Sequence, residues 1–186
     1  MKLTTIILKN IIKEEIEKVT NKSLTDFLKE FSYYRDRGVG KGLSDQEISD
    51  KFKKATVRMM TVDKLDNMGN SYTKLISGGT KEERFSKFLE FYLKEKRSKE
   101  TTRATTAKDK ENYLRKLVKS VENNQLEDPI VVVDIEGVGS LIAGGRTRAA
   151  AAKTAGMPVK AKVVKFYKTD LTSVGKVKKM IDDLTI

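Results

Sequence analysis

The chain contains no cysteine, no histidine and no tryptophan, and only 2 of its 186 residues are proline. Without cysteine it can form neither a disulfide, nor a thiolate nucleophile, nor a thiolate zinc site. Without histidine it has no imidazole base and no Ser-His-Asp triad, which excludes most familiar hydrolases. Any acid–base chemistry must therefore use Asp, Glu, Lys or Tyr, and any metal would be a hard ion such as Mg²⁺ held by oxygen ligands.

Long apolar runs are also missing. No run reaches the roughly 18 residues that a membrane span requires, so we expect no membrane insertion. Residues 1–12 lack the long apolar stretch and the small-residue cleavage site of a secretory signal. These features predict an intracellular, cytoplasmic protein.

Positive charge is in excess, with 38 Lys+Arg against 26 Asp+Glu and a net charge of +12. Such a charge attracts polyanions and speeds the encounter with them, and nucleic acid is the usual partner. Solubility alone would also account for the excess, so the positions of the basic residues must decide between the two.

The N-terminal part of the chain is helical in pattern. Residues 3–19 and 23–34 each place apolar side chains at helical spacing. The apolar face of the first helix needs a partner, which predicts self-association or docking on another protein. Residues 38–42 are rich in glycine and predict a flexible linker. We expect a helical N-terminal extension over residues 1–54 and a main domain over residues 55–186.

The last third of the chain changes to a strand pattern with glycine turns. Its predicted elements are a continuous apolar strand at 129–134, a strand at 140–143 that pairs with it, a helix at 147–155 ending on Gly156, and a strand at 159–164. This order predicts an α/β (α+β) fold, in which a small mixed sheet has a β-β-α-β core. Small side chains at 149–152 would let the helix lie close to the sheet, and we expect Lys153 to point to solvent.

The turn between the second strand and this helix is the strongest candidate site. Gly144 and Gly145 let backbone N–H groups approach an anion, and the helix dipole adds partial positive charge there. Arg146 and Arg148 can bind phosphate oxygens bidentately, and Thr147 can cap the helix and donate its hydroxyl. The alternative is a tight turn with two exposed arginines.

Lysines follow on the last strand. Lys160 and Lys162 alternate onto one of its faces, which predicts a basic surface beside the arginine turn. This arrangement suits a nucleic-acid backbone and favours a polymer over a free nucleotide.

Three segments within residues 112–164 carry a resemblance: Leu126 to Val132, Leu141 to Lys153, and Gly156 to Val159. They resemble the ParB/sulfiredoxin superfamily, whose members include CTP-binding DNA-partition proteins, DNA nucleases, small-molecule kinases and sulfiredoxin. Sulfiredoxin activity needs a cysteine that this chain lacks. Partition proteins usually have Gly-Glu-Arg-Arg at the turn and kinase relatives often have Gly-His-Thr-Arg, whereas here Arg146 replaces the Glu or His.

By this resemblance Glu127 is the best-placed catalytic carboxylate, and Glu127 and Asp128 are the candidate Mg²⁺ ligands. Asp134 and Glu136 are lesser candidates, and all four could instead be ordinary loop acids. No paired spacing singles any of them out.

Three functional hypotheses remain open. The first is a ParB-like protein that binds nucleic acid through backbone phosphates, with Mg²⁺-dependent cleavage as an added activity. The second is a nucleotide-dependent phosphotransferase, or a CTP- or ATP-binding switch, that uses the same arginine turn. The third is a non-catalytic assembly protein that docks through residues 3–19.

Overall fold

The computed structural model describes residues 24–69, 72–96, 106–126 and 128–185. In chain order the elements are α1 (residues 24–35), α2 (Asp45–Lys53), β1 (Thr56–Met60), α3 (Val62–Asp66), α4 (Lys81–Lys96), α5 (Ala107–Glu122), β2 (Ile130–Ile135), β3 (Gly139–Gly144), α6 (Arg146–Ala155), β4 (Val159–Phe166) and α7 (Val174–Leu184), with short 3-10 turns at Thr73–Ile76 and Lys168–Asp170. The helix predicted at residues 3–19 lies outside the described residues. Within those residues, no helix has both the length and the apolar character needed to cross a membrane.

The strands form one mixed sheet in the order β1-β4-β2-β3. β2 pairs antiparallel with β3 and parallel with β4, and β1 pairs antiparallel with β4. The predicted α+β class with a small mixed sheet is confirmed, and β2, β3, α6 and β4 follow one another in the predicted β-β-α-β order. The continuous apolar run of β2 has a simple cause, since this strand lies inside the sheet and is covered on both faces.

One face of the sheet packs against α3 to α6. Ile130 and Val132 of β2 lie on this face together with Ala161 and Val163 of β4. The four alanines at 149–152 of α6 are fully buried against it. Their small side chains allow close approach of helix and sheet, as the sequence predicted.

The opposite face packs against α1, α2 and α7, and four phenylalanines form much of this second core. Phe31 of α1 stacks on Phe27 at 5.1 Å between ring centroids and on Phe166 of β4 at 5.2 Å, and Phe27 stacks on Phe52 of α2 at 4.7 Å. The α1 and α2 helices, which the sequence pattern assigned to an N-terminal extension, therefore share a core with the sheet.

Residues 38–42 differ from the flexible linker that their glycines predicted. Val39 is fully buried and forms a β-bridge with Leu171. The N–H of Gly40 donates to the carbonyl of Asp170 at 2.9 Å. Gly38 and Gly40 both have positive φ, at 103° and 64°, so the glycines turn the chain while the valine between them anchors it.

Lys153 of α6 does not point to solvent, and that prediction was wrong. Its Nζ lies 2.7 Å from Oδ2 of Asp66 at the end of α3, and the two side chains are only 12% and 23% exposed. The long lysine side chain crosses from α6 to α3 and neutralises a carboxylate that the packing of these helices half-buries.

Candidate phosphate-binding site

The glycine pair at the end of β3 sets the geometry of the site. Gly144 is the last residue of β3, and Gly145 is the N-cap of α6 with φ +78°. A Cβ on Gly145 would lie 3.0 Å from Nε of Arg148 and 3.1 Å from Cγ2 of Ile130. Both the left-handed backbone and the close neighbours therefore favour glycine at this position.

The start of α6 has the properties of an anion site. Its N-cap forms no side-chain hydrogen bond, and its first turn contains no acidic residue. The first N–H groups of a helix have no partner within the helix, and the dipole makes this end positive. The predicted cap by Thr147 was wrong, because α6 begins one residue earlier, at Arg146, and Thr147 lies inside its first turn.

Arg146 is held against an aromatic side chain. Its guanidinium carbon lies 4.1 Å from the ring centroid of Tyr72, and the Tyr72 ring packs at 4.1 Å from that of Phe91. Burial lowers the pKa of Arg146 from its usual value, while Tyr34, Glu30 and Tyr33 raise it. Arginine remains charged across the physiological range, so a half-buried, oriented positive charge stands at the helix start.

Arg148 folds back over Gly145 towards the loop before β2. Its Nη1 donates to the backbone carbonyl of Asp128 at 2.9 Å and lies 3.6 Å from that residue's Oδ2. The Arg148 side chain is 26% exposed and that of Asp128 is 78% exposed. A pairing with so exposed a carboxylate is weak, so an incoming phosphate can compete for the guanidinium.

Glu30 is a carboxylate at this turn that sequence reasoning missed. Its Oε2 lies 3.2 Å from where a Cβ on Gly144 would stand. Burial raises the pKa of the Glu30 carboxyl above its ordinary value of 4.5, Arg148 and Arg146 lower it, and Asp26 raises it. No local pattern marks Glu30, because only the packing of α1 on the sheet brings it to the turn.

The raised pKa of Glu30 predicts a pH dependence of anion binding. Because its pKa is raised, the Glu30 carboxyl stays partly neutral in the folded protein at pH values above 4.5. The stability that this neutral form gives the folded protein is lost as the pH rises through the raised pKa. The charged form then repels a phosphate at the turn. We expect affinity for oligothymidine, whose phosphodiesters and bases do not titrate in this range, to fall as pH rises from 4.5 towards neutrality.

The variant Glu30→Gln should flatten this part of the affinity profile and bind more tightly than wild type at neutral pH, as measured by fluorescence anisotropy. Glu136→Gln, at an exposed position at the other end of the sheet, is the matched control and should keep the wild-type profile. If affinity changed with pH equally in wild type and Glu30→Gln, Glu30 would not be the group that causes the pH dependence.

The two lysines of β4 are placed differently from each other. Lys162 pairs with Val131 of β2, and Val131 pairs with Gly144, so Lys162 lies about two strand spacings, ~10 Å, from the turn. Its Nζ lies 3.7 Å from the ring centroid of Phe52, and burial lowers its pKa. Lys160 is exposed on the same face, nearer the end of the sheet at which α6 begins.

The predicted acids that lie within the described residues do not form one group. Glu127 lies outside the described residues, and Asp128 contacts Arg148 rather than another acid. Asp134 accepts a hydrogen bond from Oγ of Ser140 at 2.7 Å towards the far end of β2, and Glu136 follows that strand. Across the part of the chain that the structure describes, no group of three or more His, Cys, Asp or Glu could hold a metal ion. Mg²⁺ binding stays a prediction that depends on Glu127.

Comparisons of this chain with protein-family models, with curated proteins and with solved structures each found no match. The resemblance to the ParB/sulfiredoxin superfamily therefore stays a prediction.

Proposed function

We propose that this protein binds nucleic acid through backbone phosphates at the start of α6. The observation that carries the proposal is that the uncapped N-terminus of this helix holds Arg146 and Arg148 within its first turn. The exposed Lys160 lies at the same end of the sheet, where it can contact a second phosphate of the same nucleic-acid strand.

The contacts available suit a phosphodiester. A phosphate at the turn would accept hydrogen bonds from the backbone N–H groups of α6 and from the guanidinium of Arg148, which would leave Asp128 to solvent. The Tyr72 ring fixes the position of Arg146, so little conformational freedom is lost when this arginine binds. These contacts recognise the backbone and not the bases, so we expect little sequence preference.

Salt dependence tests this proposal directly. Binding through several phosphates releases counterions, so the logarithm of the association constant should fall linearly with that of the salt concentration, with a slope of about −0.7 per phosphate for a single strand. Anisotropy titrations of oligothymidine between low and moderate salt measure this slope. Affinity that does not change with salt would overturn nucleic-acid binding.

Glu30 favours a second candidate, a nucleotide-dependent phosphotransferase using the same turn. In that reaction Glu30 would accept the proton of a substrate hydroxyl while the oxygen of that hydroxyl forms a bond to the γ-phosphorus. The bond from the γ-phosphorus to the β-phosphate oxygen breaks, and the nucleoside diphosphate leaves. A carboxyl with a raised pKa suits a general base. A thermal shift with one nucleoside triphosphate plus Mg²⁺, and none with oligothymidine, would favour this candidate. The third hypothesis, assembly through residues 3–19, concerns residues outside those described and stays a prediction.

A further inference from the structure

β1 forms an open edge of the sheet. It pairs with β4 on one side, and no described residue pairs with its other side. Thr56 to Met59 are all exposed, and Val57 and Met59 are 57% and 53% exposed. An open edge presents alternating backbone N–H and C=O groups to which another extended chain can add.

The side chains of this edge alternate in character. Val57 and Met59 pair with Lys162 and Lys160 and share their face of the sheet. Arg58 pairs with Ala161 and lies on the other face. An added strand would therefore meet apolar side chains on one face and a guanidinium on the other.

The surroundings of the edge are strongly basic. Residues 53–64 and 159–163 together contain six basic side chains and one acidic side chain, Asp63. The basic ones are Lys53, Lys54, Arg58, Lys64, Lys160 and Lys162.

We propose that β1 accepts an extended acidic segment of a partner protein as an additional strand. The segment alternates apolar and acidic residues, with its apolar side chains against Val57 and Met59 and a carboxylate opposite Arg58. Main-chain hydrogen bonds supply affinity, and the alternation supplies register and specificity. This proposal concerns the opposite edge of the sheet from β3 and does not depend on phosphate binding at the arginine turn.

Charge distinguishes this occupant from a second copy of the chain. Another copy would bring the same six basic side chains to the edge, and like charges across paired strands are destabilising. Nucleic acid would satisfy the lysines, but it would leave the strand edge without main-chain partners and the two apolar side chains without apolar contacts.

The experiment uses the full chain and fluorescein-labelled peptides. The probes are Gly-Val-Glu-Val-Glu-Val-Gly, its charge-reversed form with Lys in place of Glu, and a form with Ser in place of Val. We expect saturable anisotropy changes with the first, with at least about tenfold weaker binding of the other two, since opposite charges and apolar pairs across strands each contribute. NMR shift changes at the amides of β1 should accompany binding.

Arg58→Glu should weaken binding of the Val-Glu peptide by about tenfold and strengthen binding of the Val-Lys peptide, because it reverses the sign of the cross-strand pair. Lys119→Glu, an exposed position on α5, changes the net charge equally and should leave both affinities within about twofold.

Three results would overturn the proposal: no binding of any peptide, equal binding of the Val-Glu and Ser-Glu peptides, or equal losses in Arg58→Glu and Lys119→Glu. Concentration-dependent dimerisation abolished by Arg58→Glu would show that a second copy of the chain occupies the edge. Displacement of the peptide from Arg148→Ala by oligothymidine, with binding at the arginine turn weakened, would show that nucleic acid occupies it. Peptide binding retained in Arg148→Ala would show that the two sites are separate.

Discussion

Replacing Arg148 by alanine is expected to weaken oligothymidine binding by about 10- to 100-fold at low salt, because a charge-assisted hydrogen bond contributes roughly 1.5–3 kcal/mol. The guanidinium already lies over Gly145 at the start of α6, where it contacts the exposed Asp128 and interacts electrostatically with Glu30. The loss should also reduce the slope of affinity against salt by about one phosphate contact. Anisotropy titrations at three salt concentrations measure both quantities.

Arg115→Ala is the matched control for this variant. Arg115 is an arginine of α5 paired with Glu82 of α4 and with Glu111, and its loss changes the net charge by the same amount. Its oligothymidine affinity should stay within about twofold of wild type, because screening weakens distant charges. Equal losses in the two variants would mean that general charge, and not the arginine turn, binds the polymer.

Arg146 calls for a gentler substitution, because its guanidinium stacks on Tyr72. Lysine keeps the charge but loses the planar fork, so Arg146→Lys separates bidentate phosphate recognition from charge alone. Thermal unfolding of the same sample shows whether any loss of affinity reflects loss of the fold.

Phe31→Ala is expected to lower the free energy of unfolding by about 3–5 kcal/mol, the usual cost of removing a buried aromatic ring. Phe31 is 1% exposed and stacks on both Phe27 and Phe166. The cavity would open between α1 and the sheet, and a loss of this size is a large fraction of the stability of an ordinary domain. Urea unfolding followed by far-UV circular dichroism and by tyrosine fluorescence measures it.

Val174→Ala, at a position 39% exposed, is the control and should stay within about 0.5 kcal/mol of wild type. If α1, α2 and the sheet form one cooperative unit, the two spectroscopic probes should give the same midpoint in Phe31→Ala. A urea midpoint in Phe31→Ala equal to that of wild type would show that α1 does not contribute to the stability of the sheet.

The periodic part of the fold was predictable from sequence. The apolar run of β2, the glycines before α6, the alanines inside it and Gly156 at its end each reflect a local rule, and the structure confirms the elements they predicted. The capping boxes of Ser44 with Glu47 and of Thr80 with Glu83 have local causes of the same kind.

What sequence could not predict depends on contacts between distant segments. Glu30 reaches the turn because Phe27 and Phe31 anchor α1 on the sheet. Lys162 looks like a free surface lysine in the strand pattern, but α2 places Phe52 against it. No periodicity in residues 38–42 reveals that Val39 is buried beside Leu171. Each of these features results from packing on the face of the sheet that α1, α2 and α7 cover.

The burial of β2 on both faces has a consequence for how this chain can diverge. In a strand with one solvent-exposed face, every second residue can be replaced by a polar one at little cost in stability. About half of such a strand can therefore change in sequence without loss of the fold. In β2 the odd and even residues enter different cores: Ile130 and Val132 face α3 to α6, while Val131, Val133 and Ile135 face α1, α2 and α7. A descendant of this chain should therefore keep an apolar segment here, whatever becomes of the lysines around it.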